Sequence, residues 1–96
     1  MLDVGRTPPS KQTVCLAGEY DLTRKDELAR ALATLDADAE IVIDMRDVTY
    51  IDSTVLRELA ALHLRDPQRS VSLLGVKPPI RRVLSIVGFD RLLNIA

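Results

Sequence analysis

Residues Ile41 to Leu64 read I-V-I-D-M-R-D-V-T-Y-I-D-S-T-V-L-R-E-L-A-A-L-H-L, and the fold turns on this stretch. Ile41 to Met45 is an apolar run broken only by Asp44, the composition of a strand covered on both faces. A short acidic loop is predicted to follow and to end at Asp52-Ser53-Thr54. Beyond it, Leu56, Leu59, Ala60 and His63 recur at helical spacing, which predicts a helix with one face to bury. Ser53 then falls at a helix start. Unpaired backbone N–H groups and the helix dipole favour an oxygen-bearing side chain there, and they would also receive a phosphate group.

On the N-terminal side, residues 1–12 contain Pro8-Pro9-Ser10, a turn signal after a possible edge strand at Leu2 to Arg6. Thr13 to Ala17 predicts a strand ended by Gly18, and Glu19, Tyr20 and Asp21 predict an acidic loop. Thr23 is expected to cap a helix whose apolar stripe is Leu28, Leu32 and Leu35. Asp36 to Ala39 links that helix to the central strand. On the C-terminal side, Asp66-Pro67 stops helical structure, Ser70 to Leu74 predicts a strand and Gly75 closes it. Pro79 suits the first position of a third helix. Ile80, Val83, Leu84 and Val87 give its stripe, Gly88 its left-handed end, and Leu92 to Ile95 a last short strand.

Strands alternating with helices predict an α/β domain: a mixed, mostly parallel sheet of four to five strands with about three helices, residues 13–96 forming the core. Ninety-six residues suffice for one modest core. The formal net charge is -1 and the 13 basic residues are scattered, which argues against nucleic acid as a partner. With one Phe, two Tyr and no Trp, a base-stacking platform has little to be built from. The single Cys and single His argue against an internal disulfide and a zinc site, so no cofactor or metal is expected. No apolar run approaches the roughly 18 residues of a membrane span and no leader pattern is evident, so a cytoplasmic location is expected.

Functional loops of parallel sheets gather at the carboxyl ends of the strands. If the Thr13 and Ile41 strands run parallel, Glu19 and Asp21 share one end of the sheet with Asp47, Asp52 and Ser53. Several carboxylates would then surround one hydroxyl. A phosphoryl group there would be repelled by the acidic rim and attracted by the helix start.

Four blocks in this order, G-E-Y-D-L (Gly18 to Leu22), the Ile41 to Thr54 segment, V-S-L-L-G-V (Val71 to Val76) and P-P-I-R-R-V-L-S-I-V-G-F-D (Pro78 to Asp90), resemble the STAS domain, in particular the small anti-sigma factor antagonists of bacteria. The resemblance implies a non-enzymatic binding module. Ser53 would be phosphorylated by a partner anti-sigma factor that is itself a Ser/Thr kinase, the unphosphorylated form would sequester that kinase, and a PP2C-type phosphatase would reset it. Thr54 is a secondary candidate for the modification. The contact surface would comprise Glu19, Asp21, Asp52, Ser53, Thr54, Val55 and Arg57, on a monomer or weak homodimer. The chain departs from the family pattern in two places. Val55 stands where the family has Gly, which is expected to alter a partner's fit. The chain also stops at Ala96, where many relatives continue into a further helix, so it is either a trimmed piece or has a surface for an oligomer or partner to cover.

Other readings attach to the same residues. Asp52 and Ser53 can be plain helix caps, worth about 1 kcal/mol. Asp44 inside a buried strand needs a wet strand end or an arginine partner. Cys15 reads as a small core residue, His63 as a helix-face residue and Arg81-Arg82 as a solvated pair. Asp44 with Lys77 resembles the acceptor and lysine of response-regulator receivers, although the chain is short for their five strand-helix units. A third reading keeps the STAS fold but makes the chain a structural subunit that binds an ATPase or transporter without a phosphorylation cycle.

Overall fold

The computed structural model describes residues 11–35, 39–67 and 69–95. The elements are β1 (Lys11–Tyr20), α1 (Lys25–Ala33), β2 (Glu40–Ile51), α2 (Ser53–Arg65), β3 (Val71–Leu74), α3 (Pro78–Ile86) and β4 (Asn94–Ile95), with 3-10 turns at Leu22–Arg24 and Phe89–Arg91. The four strands form one sheet in the order β1-β2-β3-β4, and every pairing is parallel. The antiparallel edge proposed for Leu2 to Arg6 lies outside the described residues, as does most of the Asp36 to Ala39 linker. Right-handed crossovers that all step the same way put their helices on one face of a sheet, and α1 packs beside α2 accordingly.

β2 is the centre of the core. Ile41, Ile43 and Met45 are each 0% exposed and alternate with residues of the opposite face at the strand period. The acidic loop expected after Met45 is instead more strand: β2 runs on to Ile51. The register with β1 shifts twice, between Cys15 and Ala17 and between Gly18 and Glu19, and β2 carries the extra residue each time. Such bulges break the period of two. The buried positions become Met45, Val48 and Ile51, a spacing of three that no regular strand displays. For the same reason Gly18, at φ +85, kinks β1 without ending it, and pairing continues through Glu19 and Tyr20.

Leu28 and Leu32 of α1 are buried, as the stripe predicted, and Leu35 packs against the core. α2 buries Val55, Leu59 and Leu62, a face turned from the expected one, with Leu56 only half-buried. Apolar residues surround most of α2, so spacing alone does not choose among overlapping stripes. α3 begins one residue before Pro79, at Pro78. Only Ile80 and Leu84 of its predicted stripe are buried; Val83 and Val87 stay exposed. Gly88 takes the predicted left-handed conformation at φ +83, its N–H donating to the Ser85 carbonyl.

On the face away from the helices, Cys15 is exposed rather than in the core, because side chains of β1 alternate between the two faces. Asp44, 8% exposed, has the arginine partner its position requires. Arg46 donates from Nε to both carboxylate oxygens at 3.0 and 3.1 Å and from Nη2 at 2.6 Å. The Arg46 backbone N–H adds a bond of 3.0 Å. These bonds from Arg46 hold the Asp44 carboxyl below its ordinary range.

Candidate functional site at the carboxyl edge of the sheet

Tyr20 of β1 and Ile51 of β2 are register partners at the ends of their strands, and the Asp52 N–H donates to the Tyr20 carbonyl at 3.2 Å. That bond sets the chain after β1 against the start of α2. Asp21 and Asp52, each the next residue in its segment, have nearly the same backbone: φ -115, ψ -170 and φ -122, ψ -169. Each turns its carboxylate onto an N–H two residues ahead. Asp21 accepts from Thr23 N at 2.9 Å, and Asp52 from Thr54 N at 2.8 Å. Tyr20-Asp21-Leu22-Thr23 and Ile51-Asp52-Ser53-Thr54 are thus two copies of one local device, a strand end followed by an aspartate cap. Glu19, Asp21, Asp52 and Ser53 share this edge as expected. Asp47 does not: it pairs with Ala17 in mid-strand, displaced by the continuation of β2.

Thr23 is not the cap of α1. Asp21 caps the 3-10 turn, and Thr23 adds its own hydroxyl to the Asp21 carboxylate at 2.5 Å. The Thr23 hydroxyl and then its N–H hold the Asp21 carboxyl below its ordinary value of 3.8. The folded pKa lies below the unfolded one, so this contribution is present above the unfolded value and is lost as pH falls through the folded one. Following the Thr23 amide shift by NMR from pH 5 downward is expected to give a midpoint below 3.8. Thr23→Val is expected to move that midpoint upward.

The sequence reading missed Arg24. Its Nη1 donates to the carbonyls of Ala17 at 2.7 Å and Glu19 at 3.2 Å, on either side of the kink at Gly18. Nη2 donates to the Tyr20 hydroxyl at 3.1 Å and to Glu27 at 2.6 Å. The guanidinium also lies 3.8 Å from the Tyr20 ring centroid, within cation–π range. Arg24 thereby satisfies carbonyls that the irregular end of β1 leaves over and fixes the strand that carries Asp21. Its only sequence signal is Glu27 three residues on, which shows the ion pair but not the carbonyls.

Ser53 is the first residue of α2 and is exposed. Its neighbours turn inward: Thr54 is 8% and Val55 1% exposed. As surface contacts these two are corrected, because the first turn of α2 presses them onto the sheet. Thr54 offers little hydroxyl to a modifying enzyme. Val55 packs into the core and does not stand in the way of an approaching partner. Arg57 and Glu19 are exposed, while Asp21 and Asp52 are half-buried.

The one histidine of α2 is far from the Ser53 hydroxyl. His63 lies ten residues on, about 15 Å along the helix at 1.5 Å per residue. Among the described residues no group of three His, Cys, Asp or Glu side chains could hold a metal ion. The geometry does not favour the receiver reading: Asp44 lies in mid-strand, paired with Arg46, and Lys77 donates to the Arg46 carbonyl rather than to Asp44. No helix among the described residues is long and apolar enough to cross a membrane.

The described residues form a small α/β domain, a parallel sheet with crossover helices that has exposed Ser53 at an acidic carboxyl edge. The chain belongs to the STAS domain family: the family model described as "Mlab, STAS domain" matches residues 5–94. A STAS-domain containing protein of Pseudomonas aeruginosa is 28% identical over 87 residues, 88% of this chain and 86% of that protein. Two solved structures share the fold. The anti-sigma factor antagonist SpoIIAA, in its unphosphorylated form, matches with a TM-score of 0.65 at 17% identity, over 95% of this chain and 84% of that one. The STAS domain of a SulP transporter from Vibrio cholerae matches with a TM-score of 0.59 at 14% identity, over 93% and 76%.

Proposed function

We propose that the chain is a phosphorylation-gated protein-binding module of the anti-sigma factor antagonist type, without catalytic activity of its own. One observation carries this reading: at the first turn of α2 Ser53 is exposed while Thr54 and Val55 beside it are buried, so a kinase meets one accessible hydroxyl there, set in an acidic edge. Unmodified, the edge formed by Glu19, Asp21, Asp52, Ser53 and Arg57 binds a Ser/Thr-kinase anti-sigma factor. Phosphorylation of Ser53 adds roughly 1.5 to 2 negative charges beside Asp21 and Asp52. The fold tolerates them at a helix start while a partner sees a changed potential. A PP2C-type phosphatase reverses the step. The likeness of the fold to SpoIIAA supports this assignment.

Full-length Ser53→Ala and Ser53→Asp proteins used as paired baits in host lysate test it. The Ala bait is expected to retain a kinase-type anti-sigma factor and the Asp bait to lose it, at least tenfold by quantitative mass spectrometry. A second reading, a structural subunit of a transporter, is supported by the likeness to the SulP STAS domain and by Val55 acting as core filler. Under that reading both baits hold the same ATPase or transporter equally.

A further inference from the structure

We propose that Arg57 is the intramolecular counter-ion of a phosphoryl group on Ser53, an inference that rests on the reading of Ser53 as the phosphoacceptor. The two residues stand at i and i+4 on α2, where Cβ atoms lie about 5–6 Å apart. Helical side chains lean toward the N-terminus, so the position of Arg57 lets it reach back over the turn that carries Ser53. Both residues are exposed. Arg57 has no hydrogen-bond or ion-pair partner among the described residues, whereas Arg24 and Arg46 are held by Glu27 and Asp44. Its helical neighbours three and four residues away are Ser53, Thr54, Ala60 and Ala61, none of them acidic. A phosphorylated Ser53 would supply the anion this arginine lacks. It would do so from the N-terminal side, the favourable order for an i, i+4 pair, and with oxygens that match the guanidinium fork.

The consequence is a double change of surface charge from one modification. A dianion appears, and a cation that the unmodified edge presents to a partner is withdrawn onto it. The start of α2 assists in holding the phosphoryl group, while the carboxylates of Asp52, of Asp21 after β1 and of Glu19 on β1 oppose it. Arg57 is the cationic side chain one helical turn away that sets the balance.

The test uses the full chain with phosphoserine installed at position 53 by genetic encoding, in versions carrying Arg57, Arg57→Gln and Arg57→Lys. The second phosphate ionisation, ordinarily near pH 6, is followed by 31P NMR, and circular dichroism verifies that all three are folded. Arg57→Gln is expected to raise that pKa by about 0.2 to 0.4 unit, the size an exposed helical ion pair produces, and Arg57→Lys to restore most of the difference. Adding 1 M salt is expected to shrink the gap. An equal pKa in all three proteins overturns the proposal, as does a lower one in Arg57→Gln. Because the phosphoryl group is installed, the result is independent of whether Ser53 is modified in the host.

Discussion

Leu59→Ala is expected to lower the free energy of unfolding by about 3 kcal/mol, within the range for emptying a buried leucine site. Leu59 is 1% exposed and lies in the middle of the inward face of α2, between Val55 and Leu62 at the same burial. Those three side chains seat α2 over β2, and the alanine leaves a void that neighbours on a rigid sheet fill only in part. Urea denaturation measures the effect. Leu64→Ala on the same helix, at a position 73% exposed, is expected to change stability by less than about 0.5 kcal/mol. A comparable loss from both would mean that α2 is seated by its other face. Because α2 begins with Ser53, Leu59→Ala is also expected to weaken any partner that reads Asp52 and Ser53 together.

Among the described glycines, Gly75→Ala is expected to be the most damaging substitution, by about 2–3 kcal/mol. Gly75 ends β3 at φ +69, a conformation that costs an L-residue about 1–2 kcal/mol. A Cβ there would also run into Cγ of Arg46, whose side chain passes over this turn on its way to Asp44. Gly88 separates the two effects: it has φ +83 but nothing within 4 Å of a Cβ, so Gly88→Ala is expected to show the backbone cost alone, about 1 kcal/mol. The difference between the two variants has a pH signature. Arg46 holds the Asp44 carboxyl below its ordinary value of 3.8, so the pairing stabilises the native chain above the unfolded pKa and is lost as pH falls through the folded one. The excess damage of Gly75→Ala over Gly88→Ala should therefore be full at pH 7, begin to shrink below about pH 3.8 and vanish only once pH has fallen past the lowered pKa of folded Asp44. An excess that stays constant across that range would point to the contact with Arg46 Cγ alone, with the ion pair left intact.

Much of this architecture is legible in local pattern. Asp66-Pro67, Pro78-Pro79 and Gly88 punctuate helices through conformational limits that belong to single residues. The Ile41 to Met45 run marks the central strand because few other environments accept so many consecutive branched and apolar side chains. Asp52-Ser53 marks the start of α2 because an aspartate cap is a bond between neighbours. By contrast, the extent of β2, the displacement of Asp47 and the carbonyls held by Arg24 all depend on two bulges in its pairing with β1. A bulge is a property of two strands, and here they lie some thirty residues apart in the chain.

The amino-acid sequence by itself determined the alternation of strands and helices, the STAS resemblance and the position of Ser53 at a helix start, since each is carried by residues adjacent or one turn apart. The tertiary structure alone decided which neighbours of Ser53 face inward and which carboxylates share its edge. Helix rotation about its axis and strand register are set by the surface packed beneath them, and a shift of one residue in either moves a side chain from solvent to core.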